Sequence, residues 1–343
     1  MIDSLLAKGA IPDFLLRKGV RRLLNKRLDS AYGSGIDFIE LERKKIITDL
    51  KESPVAIETD KANDQHYMVD PEFFFSCLGE RLKYSCCHWE KATNLEEAEE
   101  EMLELTVQRA NIKDGDKILE LGHGWGAITL YMAEKFPNSS ITAVSNSSYQ
   151  REIILKKAEE KGLSNIKIIT ADVATLELDE KFDRIISVEM FEHMRNYQTL
   201  LQRIDGWLNV GGTLFVHIFV HKEVAYKYEV IDETDWMSKY YFSGGLMPSE
   251  HLLYYFQDHL TIKEHWRVSG THYAKTCRAW LSLMDRNKNK ILNIFKKSYN
   301  GKDVFKWFNY WRVFFISCEE LFNYKKGSEW FVGHYLIEKK SKR

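Results

Sequence analysis

Residues Lys117–Gln150, KILELGHGWGAITLYMAEKFPNSSITAVSNSSYQ, contain the stretch that decides the fold. A short apolar run ends in three glycines at alternate positions, Gly122, Gly124 and Gly126, and a helical pattern follows from residue 127 to residue 135. A second apolar run, Ile141–Val144, comes next, so the stretch predicts a strand, a helix and a second strand with a right-handed crossover. Because glycines let a ligand approach main-chain N–H groups at a helix N-terminus, we expect a nucleotide-like ligand at the carboxyl edge of this unit.

Glu120, two residues before the first glycine, indicates which ligand this is. The spacing G-x-G-x-G differs from the G-x-G-x-x-G of folds that bind a pyrophosphate. A carboxylate at this point repels phosphate but suits a cation, and S-adenosylmethionine carries an amino group and a sulfonium. The residues therefore favour S-adenosylmethionine as cofactor, while an ordinary strand–helix turn without a ligand stays open as the alternative.

Composition and charge limit the class of protein. The chain has 343 residues, 44% of them hydrophobic and 29% charged, with a net charge of −1, which is the balance of a soluble globular enzyme without a footprint for nucleic acid. Its five cysteines are odd in number, and no signal peptide or apolar run of about 18 residues is apparent. We expect a reduced, cytoplasmic protein whose partners are small molecules.

The rest of the chain extends the same alternation of strands and helices. This rhythm predicts an α/β fold with a doubly wound, mostly parallel sheet of seven strands. The other five strands are predicted at 166–170, 182–188, 213–219, 261–269 and 329–339. Helices are expected over 1–60, and after the fifth strand at 248–257, 272–299 and 302–322. We divide the chain into an N-terminal helical region that covers the site (1–100), a Rossmann-like core (101–220), and helical cap insertions with the last two strands (221–343).

Two local patterns receive conservative interpretations. Leucines alternate with a basic face over 15–27, which favours the solvated face of a packed helix over contact with a membrane. Cys86-Cys87-His88 are consecutive and lack the C-x₂₋₄-C spacing of zinc sites, so no metal is predicted. The oligomeric state is not fixed by the sequence, and a homodimer is retained as an alternative.

Polar residues at successive strand ends would anchor an adenosine. Asn146 and Gln150 follow the second strand, where the ribose is expected. Asp172 ends the third strand, where a carboxylate can accept a hydrogen bond from the adenine amine. Each is an ordinary loop residue when taken alone, and their joint placement carries the prediction.

Glu189, Glu192 and His193 leave the fourth strand together. If the segment is helical, Glu189 and His193 share one face, and a surface ion pair is the alternative. An aliphatic amine with a pKa near ~10 is mostly protonated at neutral pH, so methyl transfer to it needs a carboxylate for the ammonium and a base for its proton. This cluster could supply both.

Three motifs carry a resemblance to a known family: Tyr84-Ser85-Cys86-Cys87, Ser187-Val188-Glu189-Met190-Phe191-Glu192-His193-Met194 and Tyr310-Trp311-Arg312-Val313-Phe314-Phe315. Along nearly its whole length the chain resembles coclaurine N-methyltransferases, which share a superfamily with cyclopropane-fatty-acid synthases. The resemblance implies a class I methyltransferase fold with a helical cap, and methylation of a tetrahydroisoquinoline-like amine.

Site residues follow from this resemblance together with the motifs above. The catalytic set is Glu189, Glu192 and His193. The cofactor set is Tyr84, Ser85, Glu120, Gly122, Gly124, Gly126, Asn146, Gln150, Asp172, Val173 and Ser187. The acceptor set is Tyr67, Tyr273, Tyr310, Trp311 and Phe314.

Two other functions remain open. A cyclopropane-fatty-acid-synthase-like enzyme would transfer the methyl group to a lipid double bond, and Cys86, Glu192, His193 and Tyr273 resemble the group that holds bicarbonate in those synthases. The late aromatic motif and Glu-Met-Phe-Glu-His-Met favour the N-methyltransferases. A non-catalytic S-adenosylmethionine-binding protein is the third hypothesis. The chain also departs from the family in carrying His123 in place of the usual cysteine and Met68 in place of the usual glutamate.

Overall fold

A seven-stranded sheet forms the centre of the computed structural model, which describes residues 2–57, 69–230, 235–299 and 301–340. The strands lie in the order β3-β2-β1-β4-β5-β9-β8. The first five are parallel, and β9 runs antiparallel to both β5 and β8, so the prediction of a mostly parallel sheet of seven strands is confirmed. The strands are β1 (Lys117–Leu121), β2 (Ser140–Ser145), β3 (Ile166–Thr170), β4 (Phe182–Val188), β5 (Leu208–His221), β8 (Leu260–Val268) and β9 (Trp330–Lys339). A separate small sheet pairs β6 (Tyr226–Lys227) with β7 (Leu246–Met247).

Helices cover both faces of the sheet and build a cap over its carboxyl edge. The helices before the sheet are α1 (Ile2–Ala7), α2 (Asp13–Tyr32), α3 (Gly35–Glu52), α4 (Pro71–Cys77) and α5 (Leu95–Arg109). Those between strands are α6 (Ala127–Lys135), α7 (Ser148–Glu160) and α8 (Tyr197–Trp207). The later ones are α9 (Trp236–Tyr240), α10 (Gly270–Arg286), α11 (Lys288–Ser298) and α12 (Val304–Asn323).

The turn between β1 and α6 requires its glycines. Gly122, Gly124 and Gly126 have φ values of 91°, 49° and 86°, which non-glycine residues rarely adopt. A Cβ added to Gly122 would lie 2.9 Å from the Cβ of Met190, and one added to Gly126 would lie 2.7 Å from Ile154. The turn therefore approaches the segment after β4 and the helix α7 more closely than a side chain at either glycine would allow.

The basic face of α2 is partly engaged by the helical cap. Arg17 contacts the buried Glu319 at 2.7 Å and Glu320 at 2.9 Å, and Arg21 also pairs with Glu320. Both carboxylates belong to α12 and are almost inaccessible to solvent. These pairs fix α2 on α12, as expected for a packed helix. Within the described residues no helix is long and apolar enough to cross a membrane.

One predicted helix is wrong, and one predicted helical segment is divided into two helices. The segment 248–257 contains only a 3₁₀ turn, Leu252–Phe256, because it follows the short strand β7 and packs its apolar side chains under α8. The segment 272–299 is two helices, α10 and α11, separated at Asn287. The side-chain amide of Asn287 donates a hydrogen bond of 2.7 Å to the carbonyl of Ser76, which stabilises the break.

Candidate active site

A cavity, which we call the cofactor cavity, lies at the carboxyl ends of β1, β2, β3 and β4. The glycine turn forms its floor, and the segment 82–85 closes it from the side of the cap. Eight of the predicted cofactor residues line it: Tyr84, Ser85, Glu120, Gly122, Gly124, Asn146, Asp172 and Val173. Residues far apart in the chain meet here because parallel strands end at one edge of the sheet.

The other three predicted cofactor residues lie just behind this cavity. Gly126 precedes α6 and packs on Ile154. The buried Gln150 accepts a hydrogen bond of 3.3 Å from the hydroxyl of Ser145. Ser187 donates a bond of 3.2 Å to the carbonyl of Leu121 and ties β4 to β1. They hold the cavity in shape, and direct contact with a cofactor stays a prediction for them.

The charges in the cavity fit S-adenosylmethionine. Glu120 is buried, and burial raises the pKa of its carboxyl group to about 7, opposed by the hydroxyl of Thr129, which donates a bond of 2.5 Å. The carboxylate form of Glu120 can accept hydrogen bonds from a ligand, and the turn at Gly122 and Gly124 lines the cavity beside it. The buried Lys83 lines the same cavity, and its ammonium group donates to the hydroxyl of Ser85 and, at 2.8 Å, to the carbonyl of Cys86.

Cofactor affinity should therefore depend on pH through Glu120. The protonated carboxyl group cannot accept as many hydrogen bonds, so we expect the affinity for S-adenosylhomocysteine to rise as pH increases through about 7 and then to level off. The sign follows from the raised pKa, because the free protein binds a proton below that value and must release it on binding. Isothermal titration of the wild type and of Glu120→Gln between about pH 6 and 8 measures this. If the affinity of the wild type depended on pH as little as that of the variant, the assignment of Glu120 to the cofactor site would be contradicted.

A second cavity, the acceptor cavity, adjoins the first under the helical cap. Aromatic side chains from several elements form most of its wall: Phe219, Tyr228, Phe242, Tyr273, Trp280, Phe314 and Phe322. Tyr84, Glu189 and His193 line both cavities, so they stand at the junction between them. An aromatic wall of this kind suits a flat ring or an organic cation.

Glu189 is held at this junction by three donors. It follows β4 with a φ of 48°, outside any helix, and its side chain is 9% exposed. It accepts hydrogen bonds from the amide of Cys86 at 2.9 Å and the hydroxyl of Tyr273 at 2.6 Å, and its Oε1 lies 3.2 Å from Nε2 of His217. Burial raises the pKa of Glu189, while Lys83 and the donors oppose this.

The helix on which Glu189 and His193 would share one face does not form, since only Phe191–His193 makes a 3₁₀ turn. The turn nevertheless places His193 beside Glu189. Burial lowers the pKa of His193 to about 4, with Glu189 opposing the shift, so its imidazole is neutral at pH 7. A neutral imidazole has a lone pair that can accept a proton.

Glu192 differs from these two residues in its surroundings. Its side chain is fully buried and accepts a hydrogen bond of 2.9 Å from the amide of Phe219 on β5. Burial and the neighbouring charge of Glu189 raise its pKa well above the ordinary value. It lies behind the junction and fixes the turn against β5, and its catalytic role stays a prediction.

Of the predicted acceptor residues, some line the acceptor cavity and others do not. Tyr273 and Phe314 line the acceptor cavity. Trp311 is buried behind Phe314, with its ring centroid 5.6 Å away, and Tyr310 donates a bond of 2.6 Å to Asp3 on α1. Tyr67 lies outside the described residues, as does Met68.

Several residues of the site were not predicted. Lys83, His217, Phe219, Tyr228, Phe242 and Trp280 belong to no local motif that points to this chemistry, and only the tertiary fold brings them to the cavities. The described residues include no group of three or more His, Cys, Asp or Glu side chains that could hold a metal ion.

Comparisons with known proteins agree with this site. Residues 56–328 match the family model for mycolic acid cyclopropane synthetase. The chain is 40% identical over 338 residues to an (S)-coclaurine N-methyltransferase from Thalictrum flavum subsp. glaucum, covering 97% of this chain and 93% of the relative. It is 38% identical over 336 residues to the (S)-coclaurine N-methyltransferase of Papaver somniferum, covering 97% and 96%. A crystal structure of coclaurine N-methyltransferase with N-methylheliamine and S-adenosylhomocysteine superposes with a TM-score of 0.95 at 36% identity, covering 98% of this chain and 99% of the other.

Proposed function

The chain belongs to the mycolic acid cyclopropane synthetase family, within its group of S-adenosylmethionine-dependent N-methyltransferases, and we propose that it methylates the nitrogen of a small tetrahydroisoquinoline-like amine. The observation that carries the proposal is the junction of the two cavities. A carboxylate and a neutral imidazole, Glu189 and His193, face both the predicted position of the cofactor and an aromatic chamber. The junction can therefore bind an ammonium ion through the carboxylate of Glu189 and an aromatic ring through the wall of the acceptor cavity.

Each side chain at the junction has a distinct task in this proposal. S-Adenosylmethionine, when bound, supplies an electrophilic methyl group. The carboxylate of Glu189 binds the substrate ammonium, and the aromatic wall contacts its rings and adds cation–π attraction. His193 takes the proton from the ammonium nitrogen, which frees the nitrogen lone pair, and Glu189 stabilises the resulting imidazolium.

The environment of His193 also indicates how the proton transfer is favoured. An imidazole whose pKa is about 4 in the free protein is a weak base for an ammonium whose pKa is near ~10. Desolvation of the ammonium in the acceptor cavity lowers its pKa, and this opposes the stabilisation that Glu189 and the aromatic wall give to the charged form. Enclosure by the cap therefore contributes to the deprotonation as well as to orientation.

Transfer of a radiolabelled methyl group from S-adenosylmethionine tests the proposal. The purified protein is incubated in parallel with a pool of cyclic secondary amines that includes tetrahydroisoquinolines, and with vesicles of unsaturated phospholipid. We expect label in the amine pool and a mass gain of one CH₂ in a single amine. Label in the lipid alone would overturn the proposal in favour of synthase chemistry, and cofactor binding without label in either pool would indicate a binding protein.

The proposal includes three further expectations, about cellular location, oligomeric state and membrane contact. We infer a cytoplasmic location, supported by the absence of any disulfide among the cysteines, all five of which lie in described residues. The oligomeric state and any membrane contact through α2 stay predictions. Gel filtration with light scattering would measure the first, and sedimentation with anionic vesicles the second.

A further inference from the structure

A row of side chains leads from Glu189 across the sheet. Val188 of β4, His217 of β5, His334 of β9 and Trp266 of β8 occupy neighbouring register positions on four adjacent strands. Side chains in register on adjacent strands point to the same face of a sheet. The rings of His217 and His334 accordingly lie 4.6 Å apart between centroids, and both are fully buried.

Arg109, the last residue of α5, closes the far end of this row. Its Nη1 lies 2.8 Å from Nδ1 of His334, and its guanidinium lies 5.1 Å from the ring centroid of Trp266. Among the ion pairs formed by the described residues, none involves Arg109. A half-buried cation thus has a histidine nitrogen in place of the usual carboxylate as its hydrogen-bond acceptor.

The arginine fixes the position of every proton between itself and Glu189. A guanidinium can only donate, so Nδ1 of His334 must accept and its proton must sit on Nε2. That Nε2–H donates to Nδ1 of His217 over 2.9 Å, which places the proton of His217 on its Nε2. The Nε2–H of His217 then donates to Oε1 of Glu189 over 3.2 Å. All three hydrogen bonds run in one direction, from the cation to the carboxylate.

We propose that Arg109, His334 and His217 are positioning residues. Through their three consecutive hydrogen bonds across the sheet, they hold Glu189 as a carboxylate that binds the amine. This rests on the proposed function of Glu189. The row supplies one of the three donors to the carboxylate and aligns the dipoles of two neutral imidazoles with the positive charge of Arg109. We call these three residues the Arg109 chain.

Other charged and titratable groups around Glu189 also affect its pKa. Lys83 and Cys86 face it from the segment before α5, Tyr273 from α10, and Glu192 and His193 from its own turn. Lys83 and the donors favour the carboxylate, whereas Glu192 and burial oppose it. Removing one donor should therefore raise the pKa of Glu189 and move the acidic limb of the rate profile to higher pH.

Nuclear magnetic resonance of isotope-labelled imidazole nitrogens tests the proton positions independently of activity. In the wild type we expect both His217 and His334 to carry the proton on Nε2 and to be neutral, since burial, assisted by the charge of Arg109, lowers the pKa of each imidazole well below its usual range. Arg109→Lys should preserve this pattern, and Arg109→Met should mix the tautomers of His334. Finding the proton of either wild-type histidine on Nδ1 would overturn the chain, whatever the enzyme methylates.

Kinetics of matched variants then test the effect on Glu189. His217→Leu removes the donor and should raise the KM for the amine by about 10–100-fold with the acidic limb displaced upward, because a hydrogen bond to a charged group is lost. His217→Gln can accept from His334 and donate to Glu189, and should restore most of the affinity. Arg109→Met, at a half-buried position, provides a second variant if His217→Leu does not fold. If the glutamine and leucine variants lost affinity for the amine equally at every pH, His217 would have a structural role only, and the proposal would be overturned.

Discussion

Replacing His193 with alanine is expected to lower kcat for amine methylation by about 10²–10⁴-fold, the usual worth of a general base. The substrate ammonium would still meet Glu189 but would lack the acceptor for its proton. Affinity for S-adenosylhomocysteine should stay close to that of the wild type, because the glycine turn and Glu120, which are predicted to bind the cofactor, line only the cofactor cavity. Single-turnover rates together with isothermal titration separate the two effects.

A matched control for this variant is His221→Ala. His221 is also buried, and burial lowers its pKa to about 4, but its partners are Glu329 and the amides of Glu223 and Val224 at the end of β5. Its loss should lower thermal stability and leave kcat largely intact. Wild-type turnover in His193→Ala, or an equal loss of turnover in the control, would remove His193 from the mechanism.

Much of the fold could be predicted from local pattern. The strand–glycine–helix–strand unit around Gly122 was predicted with the helix at 127–135 as observed, because an apolar run, a glycine turn and helical periodicity all act over a few residues. The strand ends gave Asn146 and Asp172 for the same reason, since a parallel sheet places every carboxyl end at one edge. Both residues line the cofactor cavity.

The remaining features depend on contacts between distant segments. No local pattern indicates that Glu189 adopts a φ of 48° and leaves the helical spacing with His193, since the cause is its bonding to Cys86, Tyr273 and His217. The break at Asn287 similarly depends on the carbonyl of Ser76, which lies 211 residues earlier in the chain. Sequence motifs identify the residue types of the site, and tertiary contacts decide their orientation.

Trp311 shows that the aromatic motif does not predict which of its side chains line the acceptor cavity. The late aromatic stretch spans almost two turns of α12, so its side chains point in several directions around the helix. Phe314 faces the acceptor cavity, whereas Trp311 packs behind it against Phe73 and Tyr241. One aromatic run thus contains both a residue that lines the acceptor cavity and a residue that packs behind it, and only the packing of the helix distinguishes the two.

Replacing Gly122 with alanine is expected to abolish cofactor binding and to lower the free energy of unfolding by about 2–5 kcal/mol. Roughly 1–2 kcal/mol comes from forcing a side chain into a left-handed backbone conformation, since φ is 91°. Overpacking adds about 1–3 kcal/mol, because the new Cβ would lie 2.9 Å from the Cβ of Met190, an atom that no rotamer change can move. The relief available is a shift of the turn itself, which changes the shape of the cofactor cavity that the turn lines.

Gly211→Ala separates these two contributions. Gly211 also has a positive φ, 77°, but a Cβ added there meets no atom within 4 Å, and the residue lies at the opposite end of β5 from the site. We expect this control to lose only the backbone contribution of about 1–2 kcal/mol and to bind S-adenosylhomocysteine normally. Denaturant unfolding and isothermal titration of both variants measure the difference. If Gly122→Ala lost no more stability than Gly211→Ala and still bound the cofactor, close approach of the turn to Met190 would not be what shapes the cavity, and the explanation of the glycine spacing would have to change.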